Sequence, residues 1–348
     1  MKKNFAVIGY GGQGRWHTGQ ILASDVATLS GIYDIDEEKN RLAQKNGIRA
    51  YSSFEEVLSD SMVDAVVIAV PNDSHRSLVI KALKAGKNVI CEKPVEMSVA
   101  VLDEMIAAAK NAGKLFTVHQ NRRFDVDFLA MKQLVRSGEI GELISIESRI
   151  HGSRGIPSDW RCQKSHGGGM LLDWGVHLID QILQIINGKV VGVYCTFTHI
   201  TTSEVDDGFK LNLYFEGGKT AYIEVGTYNF LAMPRFYLQC KNGSAIIENW
   251  QKNAQVARMK AWNEKEVLPV QTAAGITKTM APRDEITLDT YEVERPVSDV
   301  HDFYRNFCAA LDNRAELLVK HCEVRRVMQI MEAAFKSTKQ QQRVEVEI

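Results

Sequence analysis

In the first third of the chain, short apolar runs rich in β-branched residues alternate with amphipathic stretches. Residues 4–10 (NFAVIGY) read as a buried strand, and GRWHTGQILAS as the helix after it. Residues 27–36 predict a second strand, followed by a helix, EEKNRLAQKNG, that stops at Gly47. Residues 63–71 are almost continuously apolar, the mark of a strand covered on both faces. SHRSLVIKALKAG then predicts a helix ending at Gly86, KNVICEKP a strand, residues 99–112 a helix, and KLFTVHQN one more strand. Strands and helices alternating in this way form right-handed parallel βαβ units, so the expectation is an α/β Rossmann domain with a doubly wound parallel sheet.

Beyond residue 121 the pattern changes. A helix over 126–137 precedes a strand, ELISIESRI, and then a glycine-flanked apolar helix within residues 167–180 (GGGMLLDWGVHLID). Several strands follow with no helix between them. In GFKLNLYF, Phe209, Leu211, Leu213 and Phe215 share one face while Lys210, Asn212 and Tyr214 share the other, the period of a strand with one buried side. Gly217-Gly218 supplies a two-residue hairpin into KTAYIEVGTY. The second domain is therefore expected to be α+β, with helices covering one side of an antiparallel sheet. Residues 261–295 are the least periodic, contain Pro269 and Pro282, and predict a long loop; helices over 298–312 and 321–339 close the chain.

A length of 348 residues is comfortable for two domains, each burying its own core. The change of pattern puts them at 1–121 and 122–348, with the C-terminal helices 298–339 packing back toward the first. A formal net charge of −1 gives no electrostatic reason to expect nucleic acid or an anionic membrane as partner. Six cysteines, none in a CxxC pair, fit reduced thiols in a cytosolic protein better than a disulfide framework. The opening MKKNFAVIGYGG has two lysines and a short apolar run but no small-residue cleavage site, and no apolar run approaches a membrane span. These features favour a soluble cytoplasmic protein.

GYGGQG, residues 9–14, satisfies G-x-G-x-x-G between a predicted strand and a predicted helix, the context that a dinucleotide site requires. Gly9 allows the tight turn, Gly11 lets backbone approach a pyrophosphate, and Gly14 lets helix and strand pack closely. Gly12 and Gln13 complete the loop, and the helix that starts there offers free N–H groups to the pyrophosphate. Twenty residues past Gly14, at the end of the second strand, Asp34 can accept both adenosine ribose hydroxyls and would repel a 2′-phosphate. NAD is thus favoured over NADP, a preference that Lys39 and Arg41 soften.

Two further stretches carry candidate chemistry. CEKPV, residues 91–95, puts Glu92 and Lys93 at the strand edge where α/β sheets hold ligands. In GGGMLLDWGVHLID, Asp173 and His177 stand one helical turn apart on one face of an otherwise apolar helix. Three readings fit that pair: a polar lock between two elements, a metal site, or an acid/base pair.

The glycine loop, PNDSH (71–75), CEKPV, NRRF (121–124), DWR (159–161) and GGGMLLDWGVHLID occur in the order found in the glucose-fructose oxidoreductase / inositol dehydrogenase / rhizopine-catabolism (Gfo/Idh/MocA) family. The chain resembles that family over essentially its whole length. The resemblance implies a Rossmann domain followed by an α+β domain with a large open, mainly antiparallel sheet. It also implies NAD(P)-dependent oxidation or reduction of a hydroxyl or carbonyl on a sugar, polyol, inositol or glycoside, in homodimers or homotetramers that pair through the open sheet. Carried over by motif, Lys93 matches the family's catalytic lysine, and Asp173 and His177 its Asp-x-x-x-His pair. Pro71, Asn72 and His75 match a loop near the cofactor, which Glu92 and Lys93 adjoin. Trp160 and Arg161 match a Trp-Arg pair near nicotinamide and substrate.

In that chemistry His177 is suited to take the hydroxyl proton and Lys93 to stabilise the developing alkoxide, while Asp173 orients the ring or bonds a neighbouring hydroxyl. His177 and Lys93 both stay open as the formal base. Asn121, Arg123, His151 and Trp160, with Arg154, Asp159 and His166 nearby, are the polar set expected to meet a small polyhydroxylated substrate. Two other readings stand beside this one. Asp173 and His177 could be ligands in a metal-dependent lyase or isomerase, with a third from His151, His166 or Asp180; none of these has motif spacing, and no metal is expected. A non-catalytic NAD(H)-binding sensor would keep the glycine loop but has no need of Lys93, Asp173 and His177 together.

Overall fold

The computed structural model describes residues 2–260 and 267–348; positions 261–266 of the expected long loop lie outside the described residues. Five strands, β1 (Lys3–Ile8), β2 (Ala27–Tyr33), β3 (Ala65–Ile68), β4 (Asn88–Cys91) and β5 (Phe116–Val118), form a parallel sheet in the order β2-β1-β3-β4-β5. Helices α1 (Gly12–Ala23), α2 (Glu37–Lys45), α3 (Phe54–Ser59), α4 (His75–Lys84) and α5 (Val99–Ala112) connect them. Every side chain of β3 is buried, which explains why its sequence shows no alternation. The order reverses between β1 and β3, and such a switch point opens a crevice at the carboxyl ends of the strands. Helix α3 was not legible in the sequence: its six residues are too few to display a period, and the Ser53 hydroxyl that accepts the Glu56 N–H defines its start.

The second part contains α6 (Val126–Ser137), β6 (Leu143–His151), α7 (Val176–Ile185), β7 (Val190–Thr198), β8 (Gly208–Phe215), β9 (Thr220–Gly226), β10 (Phe236–Cys240), β11 (Gly243–Ile247) and β12 (Ala254–Met259). A small hairpin, β13 (Val270–Thr272) and β14 (Gly275–Thr277), precedes β15 (Leu288–Val293); α8 (His301–Leu311), α9 (His321–Gln340) and β16 (Val344–Glu345) end the chain. Nine of these strands form one sheet in the order β15-β12-β11-β10-β6-β9-β8-β7-β16, antiparallel throughout except for the parallel pair β6/β9. Helices α6, α7 and α9 cover one face. Phe209, Leu211, Leu213 and Phe215 of β8 all point into that layer, and Gly217 and Gly218 turn the hairpin with φ of 83° and 87°.

The loop expected over 261–295 is corrected by β15, which pairs antiparallel with β12 at the sheet edge. An edge strand that buries neither face fully, LDTYEV, leaves no apolar period to read. The helix expected within 167–180 opens as a π-turn, Leu171–Gly175, before continuing as α7. All six cysteines are free thiols, and no described helix is long and apolar enough to cross a membrane.

Two contacts tie the closing helices to the rest of the chain. Phe5 of β1 packs against Tyr304 and Phe307 of α8. Arg123, just before α6, donates to both carboxylate oxygens of Asp180 on α7 at 2.7 and 2.6 Å, and to Glu323 of α9 at 2.9 Å. Removing Arg123 would strand the Asp180 carboxylate in the interior. Arg123→Ala is therefore expected to cost about 3–5 kcal/mol in urea unfolding; a loss below about 1 kcal/mol would mean that the pair does not hold α6, α7 and α9 together.

Candidate active site

The glycine loop has the geometry of a dinucleotide cradle. Gly9 sits at φ +91°, and a Cβ there would lie 2.4 Å from the Ala69 carbonyl oxygen. A Cβ on Gly14 would lie 1.9 Å from the Gly9 carbonyl, so only glycine lets α1 pack this close to β1. Among the described residues nothing lies within 4 Å of a Cβ placed on Gly11 or Gly12, leaving open space before the helix. α1 has no side-chain cap and no acidic residue in its first turn, so its leading N–H groups and partial positive charge, Gln13 included, remain available to an anion.

At the end of β2, Asp34 is buried and fixed: Oδ2 accepts the Tyr10 N–H at 2.6 Å and Oδ1 the Asp36 N–H at 2.9 Å. Each oxygen retains a lone pair for a ribose hydroxyl. The Lys39 ammonium stands 3.6 Å from Asp34 Oδ2. Ile35 beside it is 93% exposed, an apolar plane that a purine could cover and that sequence reasoning did not single out. These residues fit a nicotinamide dinucleotide.

Past β4 the chain presents Lys93. Its ammonium donates to Asp173 Oδ1 and to the Asp173 carbonyl, both at 3.0 Å. Arg161 Nε donates to the other carboxylate oxygen of Asp173 at 3.1 Å, while Nη1 holds Asp159 at 2.9 Å and the guanidinium stacks 4.6 Å over Trp160. Burial pushes the Asp173 carboxyl up, but the charges of Lys93 and Arg161 outweigh it and hold the group below its ordinary range. His177 follows one turn later and is buried, with Nδ1 unpartnered among the described residues. Burial, then Lys93 and Arg122, push its imidazole well below the ordinary range, so it is a neutral proton acceptor at pH 7. Arg122 reaches the site by stacking 4.1 Å over Trp174, whose ring meets His177 edge-on at 6.0 Å.

Other residues predicted for the site are placed elsewhere. Asn72 is buried and donates to the Gly167 carbonyl at 3.0 Å, joining the two sheets' loops, with Pro71 exposed beside it. His75 is enclosed, its ring nitrogens against the carbonyls of Val70 (3.0 Å), Pro94 (3.1 Å) and Val95 (3.2 Å), so it clamps the Lys93 turn rather than facing a cofactor. Glu92 turns inward onto His17 and His119. Arg123 has its donors committed to Asp180, Glu323 and the Leu318 carbonyl, so of the adjacent pair it is Arg122 that joins Arg161 at the site. His151 lies on the face of β6 opposite Ser148, away from the helices, with Nε2 3.7 Å from Glu224 and Nδ1 accepting the Met233 N–H. Asn121 follows β5, its Oδ1 buried and unpartnered among the described residues. Adjacent arginines, and a strand whose two faces both carry polar residues, gave no signal of which side chain turns inward.

The metal-ligand arrangement for Asp173 and His177 does not assemble. Lys93 and Arg161 occupy both Asp173 oxygens, Asp180 belongs to Arg123, His166 bonds Asp73 at 3.2 Å, and His151 is on the other face.

Residues 3–120 match the family model for the oxidoreductase family with an NAD-binding Rossmann fold, and residues 128–246 that for the GFO/IDH/MocA C-terminal domain. A crystal structure of a NAD-binding protein from Listeria innocua superposes with a TM-score of 0.96 at 43% identity, covering 99% of this chain and 100% of that one. A myo-inositol 2-dehydrogenase of Thermotoga maritima is 32% identical over 57% of this chain and 59% of its own length. An NADP(+)-dependent scyllo-inositol 2-dehydrogenase of Bacillus subtilis is 25% identical over 98% of this chain and 95% of its own. Two oxidoreductases of Schizosaccharomyces pombe match over about half of their own length, 49% and 50%.

The neutral His177 has a consequence for stability. Its imidazole binds a proton less readily folded than unfolded, so the contribution is complete above the unfolded pKa of about 6.5 and is lost as pH falls below it. The difference in unfolding free energy between wild type and His177→Asn should be constant above about pH 6.5 and move against wild type by up to about 1.4 kcal/mol per pH unit below it. Denaturant unfolding at pH 8 and pH 5.5 measures this; an unchanged difference would place His177 in solvent.

Proposed function

The chain belongs to the GFO/IDH/MocA family of oxidoreductases, and from that premise we propose that it transfers a hydride between NAD and a ring hydroxyl or carbonyl of a sugar, inositol or glycoside. The observation that carries this reading is Lys93, held by Asp173 at the carboxyl edge of the Rossmann sheet, beside a neutral His177 whose buried Nδ1 has no protein partner among the described residues. A buried imidazole nitrogen without a protein partner calls for an explanation, and a proton-transfer role for the ring supplies one.

When bound, nicotinamide supplies the ring carbon that accepts or returns the hydride. His177 takes the proton from the substrate hydroxyl, since its imidazole is neutral at working pH. Lys93 places its ammonium beside the same oxygen, stabilising the alkoxide in oxidation and polarising the carbonyl in reduction. Asp173 keeps that ammonium aimed, and Arg161 ties the Trp160 segment to the same carboxylate. Asn121, Arg122 and Trp160 offer the mixture of amide, guanidinium and ring face suited to a polyhydroxylated ring.

Asp34 favours NAD over NADP, because a 2′-phosphate would meet its carboxylate; Lys39 reduces that discrimination. We assign cofactor binding to residues 1–121 and substrate binding to 122–348. The helix-free face of the nine-stranded sheet is the surface for a homodimer or homotetramer.

Purified protein with NAD should produce reduced-nicotinamide absorbance with one class among inositols, aldoses and simple glycosides. Lys93→Ala and His177→Ala are each expected to lose about 10²–10⁴-fold in turnover while still binding NAD. Full turnover in either variant would remove the role given to that residue, and binding without turnover on any of these compounds would favour the sensor.

A further inference from the structure

Directly behind Lys93 lies a second set of titratable side chains that the hydride chemistry does not use. Glu92 is 4% exposed and points into the molecule. Its Oε1 lies 2.8 Å from His17 Nε2 and 2.9 Å from His119 Nδ1, and its Oε2 accepts the Lys93 N–H at 3.1 Å. His17 Nδ1 in turn lies 2.5 Å from the Tyr304 hydroxyl. Three elements thus converge on one carboxylate: α1 through His17, the end of β5 through His119, and α8 through Tyr304. The rings of Trp16, Phe303 and Tyr304 pack around the two imidazoles.

The proton positions follow from the donor inventory. Burial pushes the Glu92 carboxyl up, but the bonds from His119 and His17 outweigh it and hold the group well below its ordinary range. A carboxylate only accepts, so His17 Nε2 and His119 Nδ1 each carry hydrogen. Burial keeps His17 neutral, leaving its Nδ1 to accept from Tyr304, whose phenol burial holds protonated. His119 Nε2 is buried with no partner among the described residues, and a hydrogen there would be an unsatisfied donor inside an aromatic shell. The cluster therefore carries one negative charge. No lysine or arginine side chain among the described residues pairs with it. At the active site Glu92 raises the His177 pKa, against the larger opposing effects of burial, Lys93 and Arg122 and a smaller lowering by His119.

We propose that the Glu92 carboxylate, buried between His17 and His119 at the carboxyl edge of the Rossmann sheet, biases a nicotinamide bound beside Lys93 toward its oxidised form. The oxidised ring is a cation and the reduced ring is neutral, so a fixed negative charge nearby stabilises the first relative to the second. The inference rests on the proposed function, since it requires the ring to bind beside Lys93.

The test is the ratio of dissociation constants for NAD+ and NADH, read by fluorescence titration on wild type, Glu92→Gln and Glu92→Asp. Removing the charge should weaken NAD+ relative to NADH by about tenfold, and Glu92→Asp, which keeps the charge, should hold the ratio near that of wild type. A purely structural role weakens both nucleotides alike; an unchanged ratio in a folded Glu92→Gln overturns the proposal and leaves the proposed function standing. Should Glu92→Gln not fold, wild type carries the test with ADP-ribose, NAD+ and NADH. Adding the oxidised ring to ADP-ribose should then strengthen binding more than adding the reduced ring, and the reverse order overturns the proposal. Failure of wild type to bind either dinucleotide would overturn the cofactor reading itself, and this inference with it.

Discussion

Much of the structure depends on the ion pair between Lys93 and Asp173. Lys93 leaves the end of β4 in the parallel sheet, and Asp173 sits on the π-turn that opens α7 beneath the nine-stranded sheet. A charge pair removed from water is costly unless its remaining lone pairs and protons find partners. Here Arg161 takes the second Asp173 oxygen, and Lys93 also donates to the Asp173 carbonyl. The contact joins the turn after β4 to the turn that opens α7 and sets the electrostatics between them. It also places the lysine charge where it helps to keep His177 neutral.

Such a contact needs a rigid frame on the Asp173 side, and three consecutive glycines make it possible. Gly167 turns at φ +71°, with its carbonyl accepting from Asn72 across the crevice. A Cβ on Gly168 would lie 2.3 Å from the Arg161 carbonyl, and one on Gly169 would lie 2.2 Å from Asp206 Oδ1. That close approach lets Asp206 take the Leu171 N–H at 2.7 Å, satisfying an otherwise free donor at the start of the π-turn. Burial pushes the Asp206 carboxyl up to about 7, a cost tolerated at the element that aims Asp173 and His177. On the other side, the His75 ring braces the Lys93 turn against the end of β3.

What could be read from the sequence follows the length scale of each signal. The parallel sheet was legible because β3 and β4 are short, continuous apolar runs bounded by amphipathic helices, and the glycine loop because steric closeness at Gly9 and Gly14 tolerates no side chain. Lys93, Asp173 and His177 were recognisable from motif order, and spacing alone put the last two on one face. Illegible were decisions made by tertiary contacts. Nothing local tells Arg122, which stacks on Trp174, from Arg123, which disappears into Asp180 and Glu323. Nothing local turns Glu92 inward either, because the two imidazoles that receive it lie far from it in sequence, on α1 and after β5. His151 failed for a related reason: the two polar faces of β6 leave its direction open, and only pairing with β9 beside Glu224 fixes it.

The charges around the crevice are ordered by the reaction proposed for it. Lys93, Arg122 and Arg161 supply cations on the side where a substrate oxygen would gain negative charge. Asp173 neutralises part of that set without reaching past it, since both of its oxygens are engaged. Glu92 stands behind the lysine on the sheet side, its charge shared with neutral donors rather than cancelled by a cation. Had Glu92 been paired with an arginine, the same three elements would still be joined, but the interior would present no net charge to a ligand. Hydrogen bonds from two neutral imidazoles make a buried carboxylate tolerable while preserving its field, a distinction that matters only if something charged is bound within reach of it.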